Sequence, residues 1–164
     1  QEVAAAQLAI EEYKRTAKDL VDASTVEFLS DESDLAAGEK IFQTNCVACH
    51  TQDGGGSIGP NLTDKYWILG GGIKNVFTTI SEGGRDGKGM IAWKQSLKPA
   101  EIAQVASYVI SLGGTTPANP KEPEGEIWVD PDAPEDTNGT ESEAEETAPE
   151  EMEQAADSTE VAMN

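Results

Sequence analysis

The 164-residue sequence contains one histidine, His50, and only two cysteines, Cys46 and Cys49. Two thiols three positions apart do not make a disulfide framework. With one histidine beside them, they leave a four-donor zinc site short of ligands. No stretch of about 18 consecutive apolar residues occurs, so no segment is expected to cross a membrane by itself. No charged segment followed by an apolar one opens the chain, and the first residue is Gln1. An export signal or membrane anchor before residue 1 is therefore expected. Positive charge is scarce: 11 Lys and Arg stand against 31 Asp and Glu, giving a formal net charge of -20. Such a chain repels nucleic acid and anionic lipid at long range, so neither is expected as a partner.

The negative charge is unevenly placed. Residues 1–34 carry three basic and nine acidic side chains, whereas residues 35–118 carry seven and six. Residues 119–164 carry one basic and sixteen acidic side chains. This divides the chain into an N-terminal linker helix (1–34), a nearly neutral globular segment (35–118) and an acidic tail (119–164). The tail is rich in Glu, Asp and Pro, a composition that buries too little apolar surface to offset ordering, so disorder is expected. Ile127-Trp128-Val129 is the apolar exception, able to strap onto the domain or a partner.

Helical spacing dominates the rest. Val3, Ile10, Tyr13, Ala17, Leu20 and Val21 form a loose stripe over residues 3–22. Residues 23–33 are polar and read as extended. Ser33 or Asp34 is placed to cap the next helix, from Leu35 to the cysteines. KYWILGG reads as a short helical turn. Ile73, Val76, Phe77 and Ile80 fall at i, i+3, i+4 and i+7 of a further helix. Pro99 suits the first turn of a last helix, which Gly113 ends. No strand pattern competes, and the fold class expected is all-α. Gly38 and Phe42 on the first helix of the domain are expected to meet Tyr108 on the last.

The chemistry concentrates in Cys46-Val-Ala-Cys49-His50. Two thiols at this spacing form thioethers to the two vinyl groups of one haem, with the adjacent imidazole on the iron. A CxxC pair also serves as a redox dithiol, but that use needs a βαβ setting which this pattern lacks. Because His50 is the only histidine, ligation by two histidines of this chain is excluded. Met152 and Met163 lie in the acidic tail, which leaves Met90, in the glycine-rich loop GKGMIAW, as the candidate sixth ligand. His/Met ligation stabilises ferrous iron and leaves no open position, which suits electron transfer rather than bond chemistry on this chain. Around this centre, the Pro60 carbonyl of Gly59-Pro60-Asn61-Leu62 is placed to accept from the other nitrogen of His50. Leu62 is a candidate pocket residue. Tyr66, Trp67 and Trp93 are candidate donors to the haem carboxylates, and Arg85 is a candidate ion-pair partner for one of them.

The string from GPNLTDKYW to ISEGG, followed by KGMIAWKQSLKPAEIAQVASYVISLGG, carries a resemblance. Residues Leu35–Gly114 resemble a class I cytochrome c domain. The flanking strings are similar to the CcoP (FixP) subunit of cbb-type cytochrome c oxidases. The resemblance implies Cys46 and Cys49 as thioether residues and one covalent haem c with axial His50 and Met90. It implies an electron-input role in a haem-copper oxidase of aerobic respiration. Partners would be other oxidase subunits and a donor cytochrome c or similar donor. Membrane association would come through those partners or an anchor before residue 1, on the periplasmic side of the bacterial cytoplasmic membrane. A subunit of another redox complex, a free diffusible cytochrome and a gas sensor are the alternatives.

Overall fold

A computed structural model describes residues 2–131. The part of the expected tail beyond residue 131, with the disorder assigned to it, lies outside the described residues. Among the described residues five helices are present: α1 (Glu2–Lys18), α2 (Glu32–Asn45), α3 (Val47–His50), α4 (Gly72–Glu82) and α5 (Pro99–Ser111). A 3-10 turn covers Trp93–Gln95. Two short strands, β1 (Tyr66–Trp67) and β2 (Glu126–Ile127), pair antiparallel, Tyr66 opposite Ile127. The all-α expectation therefore holds except for this one ladder, which replaces the expected turn at KYWILGG.

The core forms where α5 crosses α2 and α4. Ile102, Val105, Ala106 and Val109 of α5 are buried with Phe42 of α2 and with Val76, Phe77 and Ile80 of α4. The apolar residues of α4 and α5 recur at three- and four-residue intervals, so each helix turns one continuous face inward. Pro99 occupies the first turn of α5, and Glu101 accepts the Lys98 N–H at 2.8 Å. A Cβ on Gly38 would run into the Gln104 carbonyl and come within 2.9 Å of Tyr108 Cβ. The missing side chain lets the two backbones meet, and Phe42 and Tyr108 stack tilted with ring centroids 5.4 Å apart.

Packing extends beyond residues 35–118 at both ends. Helix α2 starts at Glu32 with Asp31 preceding it, rather than after Ser33 or Asp34. Asp34 lies inside the helix, buried, and accepts a hydrogen bond from the Gln104 amide at 2.9 Å. Upstream, Val26 is a core residue, and the Leu29 N–H donates to Ser107 Oγ at 3.0 Å. The segment before α2 thus packs on α5. Helix α1 itself presents Val3, Leu8, Ile10 and Tyr13 to solvent.

Downstream, residues 117–128 form a strap, of which the composition assigns residues 119–128 to the tail. The Ala118 N–H donates to Asp53 at 3.1 Å, Lys121 N–H to the Gly55 carbonyl at 2.8 Å, and Trp128 N–H to the Lys65 carbonyl at 3.0 Å. Trp128 lies against Gly70, Gly71 and Gly72; a Cβ on Gly71 would sit 2.7 Å from its ring. Backbone bonds, the buried Pro117 against Gly55 and one indole hold a stretch whose remaining side chains are mostly charged, proline or exposed. That is why its composition resembles a solvated segment.

Candidate haem site

Helix α3 is a single turn. The Cys49 and His50 N–H groups donate to the Cys46 carbonyl at 3.3 and 3.0 Å. This turn brings both thiols and the imidazole to the wall of one cavity of about 350 Å³. Thr51 ends the helix at φ 63, outside the helical region, with its hydroxyl oxygen 2.6 Å from the His50 carbonyl oxygen.

The His50 ring is buried and fixed from two sides. Its Nδ1 lies 3.0 Å from the Pro60 carbonyl oxygen. A carbonyl only accepts, so Nδ1 carries the proton and Nε2 keeps a free lone pair. On the other side, a Cβ at Gly59 would come within 2.7 Å of Cε1. Burial, above all, pulls the His50 pKa below its ordinary value; the Pro60 contact opposes this, and Lys121 adds to it. A neutral imidazole of this tautomer is a metal ligand already oriented by its outer hydrogen bond.

The Cys46 thiol is pushed up to about 11 by burial first and by Cys49 second. It stays protonated at neutral pH. That is the reverse of a redox dithiol, whose attacking cysteine has a depressed pKa. Among the described residues no three His, Cys, Asp or Glu side chains gather as a metal-binding set.

Met90 lines the same cavity from the loop between α4 and the 3-10 turn. That loop folds back on itself, the Gly84 N–H donating to the Met90 carbonyl at 3.1 Å. Gly83, at φ 94, and Gly84 permit the return; a Cβ on Gly84 would lie 3.0 Å from Met90 Cβ. Pro60, Leu62, Trp67, Arg85 and Trp93 also line the cavity, while Tyr66 does not. Tyr66 and Trp67 are consecutive in β1, and consecutive strand residues point to opposite faces, so only one of them reaches the cavity. The sequence reading missed Lys88, Lys121 and Glu124, the other charged lining residues. The two strap residues were hidden by their distance along the chain from the CxxCH turn. Phe42, Ile58, Leu69, Val76, Ile80 and Val109 make most of the remaining wall apolar. Paired thiols beside a preset imidazole and apolar walls fit a c-type haem, and the Met90 thioether lines the same cavity.

Comparison with known proteins agrees. Residues 33–109 match the family model for cytochrome c oxidase, cbb3-type, subunit III. The chain is 50% identical over 84 residues to the cbb3-type oxidase subunit FixP of Bradyrhizobium diazoefficiens, covering 49% of this chain and 28% of that protein. It is 42% identical over 95 residues to the subunit CcoP of Rhodobacter capsulatus, covering 52% of this chain and 31% of that protein. A FixP homologue of Rhizobium leguminosarum, FixPc, is 35% identical over 130 residues, covering 70% of this chain and 45% of that protein. The chain thus spans less than half the length of each of these relatives. Matching sequence, helical fold and cavity converge: the chain contains a class I cytochrome c domain that resembles the CcoP (FixP) subunit of cbb3-type cytochrome c oxidases.

Proposed function

We propose that this chain transfers electrons through one covalently bound haem c, as the electron-input domain of a cbb3-type oxidase in aerobic respiration. The observation that carries the reading is the convergence of Cys46, Cys49, His50 and Met90 on one apolar cavity. Cys46 and Cys49 would hold the haem through thioethers, and His50 and Met90 would ligate its iron. Bound haem supplies a one-electron ferric/ferrous couple. The chain's own residues do the rest. The Pro60 carbonyl keeps the Nδ1 proton of His50, so Nε2 remains a donor. The Met90 thioether favours the ferrous state, and the apolar wall limits water access. Trp67, Trp93 and Arg85 are available to the haem carboxylates.

The relatives are named as oxidase subunits, which supports other oxidase subunits as partners; a donor cytochrome c or similar donor would supply the electrons. No helix among the described residues is long and apolar enough to cross a membrane. Membrane association would come from partners or from an anchor before residue 1, with the domain on the periplasmic side.

Expression with a cytochrome c maturation system tests the core of this reading. The expected product retains haem on a denaturing gel and loses it with Cys46→Ser and Cys49→Ser together. When reduced, it shows no spectral change under carbon monoxide, because both axial positions are filled. A non-covalent haem, or a clear carbon monoxide adduct, would overturn it. Copurification with haem-copper subunits tests the oxidase assignment, and a monomeric, unassociated chain in native membranes and extracts would favour a free cytochrome.

A further inference from the structure

Four formally charged side chains line the cavity: Arg85, Lys88, Lys121 and Glu124. Arg85 and Lys88 belong to the Met90 loop. Lys121 and Glu124 belong to the strap, outside the segment that matches the family model. Lys121 is held by its backbone, its N–H donating to the Gly55 carbonyl at 2.8 Å and its carbonyl accepting from the Asn61 amide at 3.3 Å. Its ammonium pairs with Glu124 at 2.5 Å and reaches the Ile58 carbonyl at 3.4 Å. Glu124 in turn feels both lips of the cavity. Its carboxyl is held below the usual range by the Lys121 hydrogen bond first, and by the charges of Arg85 and Lys88 as well. Gly125, at φ 94, turns the strap tightly against the Trp67 carbonyl and fixes where Glu124 falls.

Three cations and one carboxylate leave the lining at a formal charge of +2. A haem carries two carboxylates, so the match is complete when both are ionised. Beside an apolar wall an unbalanced charge is costly.

We propose that the strap is a working part of the haem site: Lys121, with Arg85 and Lys88, holds the haem carboxylates, and Glu124 sets how much positive charge they meet. This rests on the haem reading and extends it to residues beyond the cytochrome domain's matched segment. Lys121 would touch the haem carboxylates and Glu124, paired with Lys121, is a positioning residue; both act on the iron only through charge. Ferric iron carries one more positive charge than ferrous, so a nearby cation favours the reduced state and a nearby anion the oxidised state.

The test is a spectroelectrochemical titration of the haem-loaded full chain at low ionic strength. Lys121→Gln should lower the midpoint potential and Glu124→Gln should raise it. Lys121→Arg should stay near the wild type, as should Glu122→Gln, which removes an exposed charge from the same strap. Added salt should shrink both shifts. A role in packing alone would move the two variants the same way or leave both unmoved, and either result overturns the proposal. The strap's attachment through backbone atoms keeps these side-chain changes compatible with folding. A wild-type chain that takes up no covalent haem sinks the haem reading and this one together. Haem-loaded variants with unmoved potentials sink only this one.

Discussion

Gly59 is the residue on which the proposed axial histidine depends most directly. Its absent side chain leaves room for the His50 ring, and a Cβ there would meet Cε1 at 2.7 Å, Nδ1 at 2.9 Å and Nε2 at 3.1 Å. The atoms on the other side of the contact are a ring that cannot flex. Gly59→Ala should therefore turn the imidazole away from the Pro60 carbonyl and cost about 1–3 kcal/mol, the usual range for overpacking. Haem-loaded variant protein should show a weakened sulfur-to-iron charge-transfer band and a lower unfolding midpoint. An unchanged spectrum and an unchanged midpoint would show that the loop moves instead. That Cys46, Cys49 and His50 share one turn was readable from the sequence, because it depends on local spacing alone. The requirement at Gly59 was not readable, because it depends on how a loop returns over a helix nine residues earlier.

At the scale of elements, α2 and α5 carry the domain through a close crossing. Gly38→Ala would put a methyl group into the Gln104 carbonyl, and backbone on both sides must separate to accept it. The expected loss is about 1–3 kcal/mol, measured by denaturant unfolding; a loss below a few tenths would mean the helices slide apart freely. Helices α4 and α5 were legible because apolar residues repeated on one face over three turns. The ladder of β1 and β2 was not, since two residues show no periodicity and the pairing spans about 60 residues of chain. The strap's other anchor is electrostatic and pH-dependent. Asp53 accepts from the Thr51 hydroxyl at 2.8 Å, the Gly55 N–H at 3.1 Å and the Ala118 N–H at 3.1 Å. The Thr51 hydroxyl first, then these N–H groups, hold its pKa below the usual carboxylate value. A depressed folded pKa means that its contribution is fully present above the unfolded value, about 3.9, and is lost as pH falls through the lower folded value. The Ala118 amide chemical shift should titrate below the ordinary aspartate range, and Asp53→Asn should abolish that transition. A transition at or above the ordinary range would refute the assignment.

For the molecule as a whole, charge and packing disagree about where the domain ends. Charge changes abruptly after residue 118, and the sequence reading placed its boundary there. Packing continues to Trp128, because backbone hydrogen bonds and a glycine-lined seat for one indole need no apolar run. Val26 makes the same point at the other end, a buried core residue with Leu29 packed against the same core, in a stretch that reads as polar. Sparse anchors of this kind leave no periodic trace.

The strap also imposes an order of events. The chain is made from its N-terminus, so Cys46, Cys49 and His50 exist long before residues 117–128. Until the last of these arrives, Gly55 and Asn61 lack their strap partners, and the cavity mouth lacks Lys121 and Glu124. A large flat group delivered to the two thiols before the strap docks would meet an unfastened pocket, which the strap would then close. A chain ended at Thr116 should accordingly acquire covalent haem as readily as the full chain, yet yield faster to protease around residues 51–63. Slower acquisition by the shortened chain would mean that the strap helps build the pocket rather than latching it afterwards.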